Sequence, residues 1–371
     1  MTQHLEALET VMPAVESAAA EVDSSGAFPR QAVRSLGEAG VLGLVSAADV
    51  GGRGAGMREA AAVVERLAGA CGSTAMVTVM HYCATAVLEA HGPERVRREI
   101  ASGRHLTTLA FSEVGSRSQF WAPLSTAAAA NGHVTLDARK SWVTSAGEAD
   151  SYVWSSRPLA AGGASTLWLV PAGAAGLDVA GSFDGLGLRG NASRPITAAS
   201  VRVPADARLG PDGGGFELMM GVVLPWFQVL SAAFSLGIAE SAIEKTARHA
   251  TAARFEHLDQ SLADQPVNRH HIARMRLLAD QARGLLLDTL AAVEASRQDA
   301  MLRVLEVKPA ASEAAVAVTD LAMRVCGGAA FRREVGVERN FRDARAATVM
   351  APTTDALYDF IGRAVCGLPL F

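Results

Sequence analysis

Hydrophobic periodicity switches twice along the chain, and the switches bound the folds open to it. Through about residue 108, apolar side chains recur at helical spacing in HLEALETVMPAVESAAAEV, PRQAVRSLGEAGVLGL, MREAAAVVERLAGA, TAMVTVMHYCATAVLEAH and PERVRREIAS. Ser-Ser-Gly, Gly51-Gly52-Arg53-Gly54 and His91-Gly92-Pro93 separate these runs. From Leu106 the pattern becomes short and β-rich, in LTTLAFSE, HVTLDARKSWVTSAGEADSYVWSSR, STLWLVPA, LDVAGSFDGLG and ITAASVRVP. From about Gly213 the helical period returns in four segments, the first carrying Pro225 near its start. The expectation is a mostly α protein with a central β domain. Residues 1–108 form an N-terminal helical domain, 109–205 a middle β-barrel or sandwich, and 206–371 a C-terminal four-helix bundle.

Composition removes several classes of function. A net charge of -4 and a pI near 6.2 give no electrostatic reason to bind nucleic acid or an anionic membrane. Cys71, Cys83, Cys326 and Cys366 show neither CxxC nor Cys/His spacing, so no metal site and no disulfide framework is expected. The N-terminal residues are amphipathic and acidic, unlike a signal peptide, and no uncharged apolar run is read as long enough to span a membrane. A cytoplasmic protein is expected.

The stretch from Cys326 to Asp355 concentrates chemistry. Gly327 and Gly328 permit close backbone approach to a ligand, while Thr353 and Asp355 stand where a helix N-terminus can receive an anion. Together they read as one wall of a cofactor site. The string Gly327-Gly328, Val337-Glu338-Arg339 and Phe341-Arg342-Asp343-Ala344-Arg345 resembles the C-terminal signature of the acyl-CoA dehydrogenase family. In that family a Tyr-Glu-Gly-Thr segment follows, and its Glu commonly removes the α-proton of the acyl thioester. Here the segment is Met350-Ala351-Pro352-Thr353, so Ala351 stands where the carboxylate is usual. Some branches place the base on the long helix instead, where this chain has Phe227 and Gln228.

Further motifs carry the same resemblance, which covers nearly the whole chain. AFSEVGSRSQF is similar to the family's flavin-contacting loop, implying FAD contacts for Phe111, Ser112 and Ser118, with Arg117 where the family keeps glycine. Lys140-Ser141-Trp142-Val143-Thr144-Ser145 resembles its Lys-x-Trp-Ile-Thr-Asn strand, which implies that Trp142 packs on the flavin and Thr144 bonds near its reactive nitrogen. Strand alternation puts Trp142 and Thr144 on one side. The resemblance also implies cofactor roles for Arg254, Arg324, Gly327, Gly328, Thr353 and Asp355, and substrate contacts for Ser118 and Gln228.

With neither usual base present, Asp355 and His81 are the candidate catalytic groups, and Glu113, Glu148 and His257 are further substitutes. The implied function is a flavin-dependent oxidoreductase acting on an acyl thioester of coenzyme A or a carrier protein. Alternatives are a flavin monooxygenase of the same fold and a non-catalytic subunit paired with an active relative. The expected assembly is a homodimer or homotetramer, or a hetero-oligomer with a related chain.

Overall fold

A computed structural model describes residues 3–116 and 119–370, so Arg117 and Ser118 lie outside the described residues. Five helices come first: α1 (Gln3–Ser25), α2 (Arg30–Glu38), α3 (Met57–Ala70), α4 (Gly72–His91) and α5 (Glu94–Ala101). The sequence pattern carries α2 on to Leu44, but the helix stops at Glu38. Gly40 there takes φ +72, and Gly37 lies so close to the Gly103 carbonyl that a Cβ would collide with it.

Eight strands follow: β1 (Thr107–Ala110), β2 (Thr126–Ala130), β3 (His133–Val143), β4 (Ser151–Ser156), β5 (Thr166–Pro171), β6 (Leu177–Val179), β7 (Arg194–Pro204) and β8 (Arg208–Leu209). They form two four-stranded sheets, ordered β1-β4-β5-β8 and β2-β3-β7-β6. In the first, β1 runs parallel to β4, and every residue of β4 is buried, including Tyr152 and Trp154. In the second, β7 alternates buried and exposed positions, the signature of a sheet with one packed face.

The β2 strand is absent from the sequence reading because its run of four alanines has poor strand propensity. Pairing with β3 overrides that preference. A signal was available: Asn131-Gly132, with φ of +40 and +82, is the dipeptide that favours a two-residue hairpin turn.

The helical remainder begins with α6 (Gly215–Leu218) and a π-turn over Met219–Val223, which leads into α7 (Leu224–Ala252). The π register sits just before Pro225, the residue that has no N–H to give. A two-strand hairpin, β9 (Arg254–Phe255) with β10 (Gln260–Ser261), leads to α8 (Pro266–Glu294), α9 (Ala300–Cys326), α10 (Val337–Val349) and α11 (Thr354–Val365).

The chain divides into two compact units. The first takes the residues up to Val63, Met76–Gly185 and Arg189–Phe227, and so holds both sheets. The second takes Val64–Ala75, Leu186–Leu188 and Gln228–Phe371. Within this second unit Gly237 of α7 meets the Glu65 carbonyl so closely that a Cβ cannot be accommodated. Beside that crossing Arg283 of α8 binds Glu65 at 2.6 Å and Glu240 at 2.9 Å.

Contrary to the expectation that no apolar run is long enough to span a membrane, two helices among the described residues are. Gly215–Ala252 and Ala300–Phe331 are both long and apolar enough to cross a membrane by length and composition. Their most apolar windows are 83% and 50% buried within the protein, which is how a core helix meets the same test.

Candidate functional site

In the first unit, three motifs that are far apart in sequence are stitched together by backbone hydrogen bonds. The segment after β1 runs alongside the end of β3: Ser141 N donates to Ser112 O at 2.9 Å, and Val114 N to Arg139 O at 3.2 Å. The 191–193 loop closes the other side, where Ser145 N donates to Asn191 O at 2.9 Å and the Thr144 hydroxyl lies 3.3 Å from that of Ser193. At the centre stands Trp142, with φ +56 and 71% of its surface exposed. A large indole held out of the core by paired backbone on both sides is a platform for another flat ring.

Strand alternation fails at this point. The β3–β7 register shifts between Lys140 and Val143, β3 ends at Val143, and Thr144 is only 2% exposed. The bulge and the left-handed backbone at Trp142 turn the indole outward, so the two residues do not share one regular face. Phe111 is buried and stacks on Phe120 at a centroid separation of 6.4 Å, so it supports the loop from beneath. Ser112 is half-buried.

The platform is pinned by a buried ion pair. Lys140 Nζ reaches Glu113 Oε1 at 2.6 Å, Ser155 O at 2.7 Å and Ser155 Oγ at 2.9 Å, and it lies 5.0 Å from the centre of the Trp154 ring. Glu113 Oε2 accepts from Leu124 N at 2.6 Å and Ser125 N at 2.9 Å, and the Ser125 hydroxyl donates to Oε1. Burial alone raises the Glu113 carboxyl, but the charge and hydrogen bonds of Lys140 outweigh it and leave the group below its ordinary value. Glu113 is therefore an ionised structural anchor and is withdrawn as a candidate base.

His81 is withdrawn for a different reason. It is fully buried, its Nε2 lies 3.1 Å from Leu42 O, and its Nδ1 accepts from Thr107 N at 3.2 Å. Burial lowers its pKa to about 4, which makes it a neutral core histidine with both nitrogens in use. Glu148 is held by Arg30 at 2.6 Å. His257 lies in the short turn after β9, edge-on to Phe255.

In the second unit, the arginine-rich signature is largely structural. Asp343 Oδ1 accepts from Leu188 N at 2.7 Å, Arg339 donates to Ala70 O at 3.3 Å, and Arg342 to Leu186 O at 3.2 Å. Gly327 ends α9 with φ +57 and ψ -137, and a Cβ added there or at Gly328 meets nothing within 4 Å. Open space beside paired glycines is what a cradled ligand requires. Arg324 is exposed and paired with Asp320 at 3.0 Å, and Arg254 with Asp259 at 2.5 Å, so each carries a carboxylate already.

Thr353 caps α11, its hydroxyl accepting from Ala356 N at 3.3 Å, and Asp355 is exposed in the first turn. The turn before it rests on a residue that the sequence reading passed over. Lys308, buried within α9, donates to Met350 O at 2.7 Å and Pro352 O at 2.6 Å, the carbonyls on either side of Ala351. Burial brings its pKa down to about 7. Gln228 is fully buried in α7.

Comparison with known proteins agrees along the chain. Residues 6–103 match the acyl-CoA dehydrogenase N-terminal domain, 108–201 the middle domain and 213–366 the C-terminal domain. Over 346 residues the chain is 29% identical to the mitochondrial short-chain specific acyl-CoA dehydrogenase of Homo sapiens, covering 91% of this chain and 82% of that protein. Among solved structures it resembles butyryl-CoA dehydrogenase from Megasphaera elsdenii, with a TM-score of 0.91 at 20% identity over 99% of this chain and 98% of the other. A prolyl acyl carrier protein oxidase has a TM-score of 0.88 at 20% identity, over 98% of this chain and 99% of its own.

Proposed function

Because the chain belongs to the acyl-CoA dehydrogenase family of flavin oxidoreductases, we propose that it binds FAD against Trp142 and oxidises an acyl thioester, with Asp355 as proton acceptor. The observation that carries this reading is the exposed indole of Trp142, fixed by hydrogen-bonded segments on both sides. The residues of the first unit fit such a cofactor: an outward aromatic face at Trp142, with the half-buried Ser112 on the segment hydrogen-bonded beside it. When bound, FAD supplies the acceptor for the hydride that leaves the β-carbon.

This chain's own residues supply orientation and proton transfer. Trp142 offers stacking area, and the paired backbone around it fixes the plane of the indole. The Asp355 carboxylate would take the α-proton of the thioester. Ala351 and Phe227 have no group that can take a proton, and His81, Glu113 and Glu148 are engaged elsewhere. Lys308 sets the course of the chain into α11 by holding the carbonyls of Met350 and Pro352.

The test is an anaerobic titration of the purified full chain with straight-chain acyl-CoA and acyl-pantetheine thioesters. The protein is expected to be yellow and to bleach on adding thioester. A colourless protein, or a flavin reduced only by dithionite, contradicts the reading.

A further inference from the structure

Along α7 the side chains from Val229 to Leu236 are almost completely buried, and most are apolar. Gln228 and Ser231 break that pattern at 0% and 1% exposure. They are three residues apart and so lie on one face of the helix. Among the described residues, neither the Gln228 amide nitrogen, nor its amide oxygen, nor the Ser231 hydroxyl has a hydrogen-bond partner. One turn further on, Ser235 shows the ordinary solution for a buried helical hydroxyl, donating to Ser231 O at 2.9 Å. Buried polar groups are nearly always paired, and three orphaned atoms on adjacent turns of one face are not what packing alone selects.

Resting on the acyl-thioester reading, we infer that Gln228 and Ser231 receive a neutral hydrogen-bonding group on the acyl chain, a hydroxyl or a carboxamide. The chemistry of the orphaned atoms sets the class. Gln228 presents two N–H donors and a carbonyl acceptor, and Ser231 one donor with two lone pairs. Only a group with both an O–H or N–H and a lone pair satisfies both ends of the amide. A carboxylate brings acceptors alone and leaves the Gln228 oxygen unpaired. An unsubstituted hydrocarbon chain leaves all three atoms unpaired. The group belongs beyond the β-carbon, because the α- and β-carbons are where the C–H bonds break.

The experiment compares anaerobic flavin reduction by unsubstituted acyl-CoAs with that by partners of equal chain length carrying a terminal hydroxyl or carboxamide. The expected preference for the substituted partner is at least about 10²-fold, a floor beneath the roughly 10⁴- to 10⁵-fold by which sites built around a hydrogen bond reject analogues lacking it. In Gln228→Leu and Ser231→Ala the ratio falls toward one. The melting temperature of Gln228→Leu is expected to stay level or rise, since an orphaned polar group has been replaced by an apolar one. Equal reduction by both substrate classes, or a Gln228→Leu variant that melts lower and keeps the preference, overturns the inference and leaves the thioester reading in place. If no thioester reduces the flavin, the thioester reading fails and the inference falls with it.

Discussion

Replacing Asp355 with Asn is expected to slow flavin reduction by an acyl thioester by about 10²- to 10⁴-fold, the usual contribution of a positioned general base. The fold should persist, because Thr353 and not Asp355 caps α11. The complementary variant, Ala351→Glu, puts a carboxylate at the position that the motif resemblance aligns with a base. The turn that carries it is already held by Lys308 through the carbonyls of Met350 and Pro352. In the Asp355→Asn background this second change is expected to restore part of the rate. Stopped-flow absorbance under anaerobic conditions measures both. An Asp355→Asn enzyme that reduces as fast as the wild type removes the residue from the chemistry, whatever Ala351→Glu does.

Glu113→Gln should cost about 3–5 kcal/mol of folding stability, because it leaves the Lys140 ammonium buried without its counter-charge. Gln can still accept from Leu124 N or Ser125 N, so the loss is mainly electrostatic. Adding Lys140→Met removes the stranded charge and is expected to recover most of the stability. Urea denaturation of the single and double variants checks this, and equal stability for Glu113→Gln and wild type contradicts it. The pH dependence has a definite sign. Since Glu113 sits below its ordinary pKa in the folded protein, its contribution is present above the unfolded-state value near 4.5 and is lost as pH falls through the folded one.

Much of the architecture is legible in the sequence because each element carries its own period. The β-rich runs between Leu106 and Pro204 stand apart from the apolar i, i+3, i+4 pattern on both sides, and family membership confirms the α, β, α order. What the sequence conceals depends on partners or on backbone geometry. The alanines of β2 become a strand only through β3. The outward turn of Trp142 depends on a bulge that a period-2 reading cannot register. Lys308, set between Val307 and Pro309, reads as a surface charge or a helix interruption until its Nζ is seen reaching two carbonyls of another segment. Glu113 and His81 look like available acids and bases until their hydrogen bonds are traced. The orphaned state of Gln228 is likewise a property of its surroundings, which a single chain position does not announce.

FAD binding by this chain depends on the indole at position 142. Titrating deflavinated wild-type and Trp142→Ala protein with FAD, and following flavin fluorescence, measures this directly. Loss of the stacking surface, worth about 0.5–1.5 kcal/mol beyond the area it covers, is expected to weaken FAD binding by at least about tenfold with the melting temperature little changed, because the side chain is exposed. Equal affinity in the two proteins contradicts it.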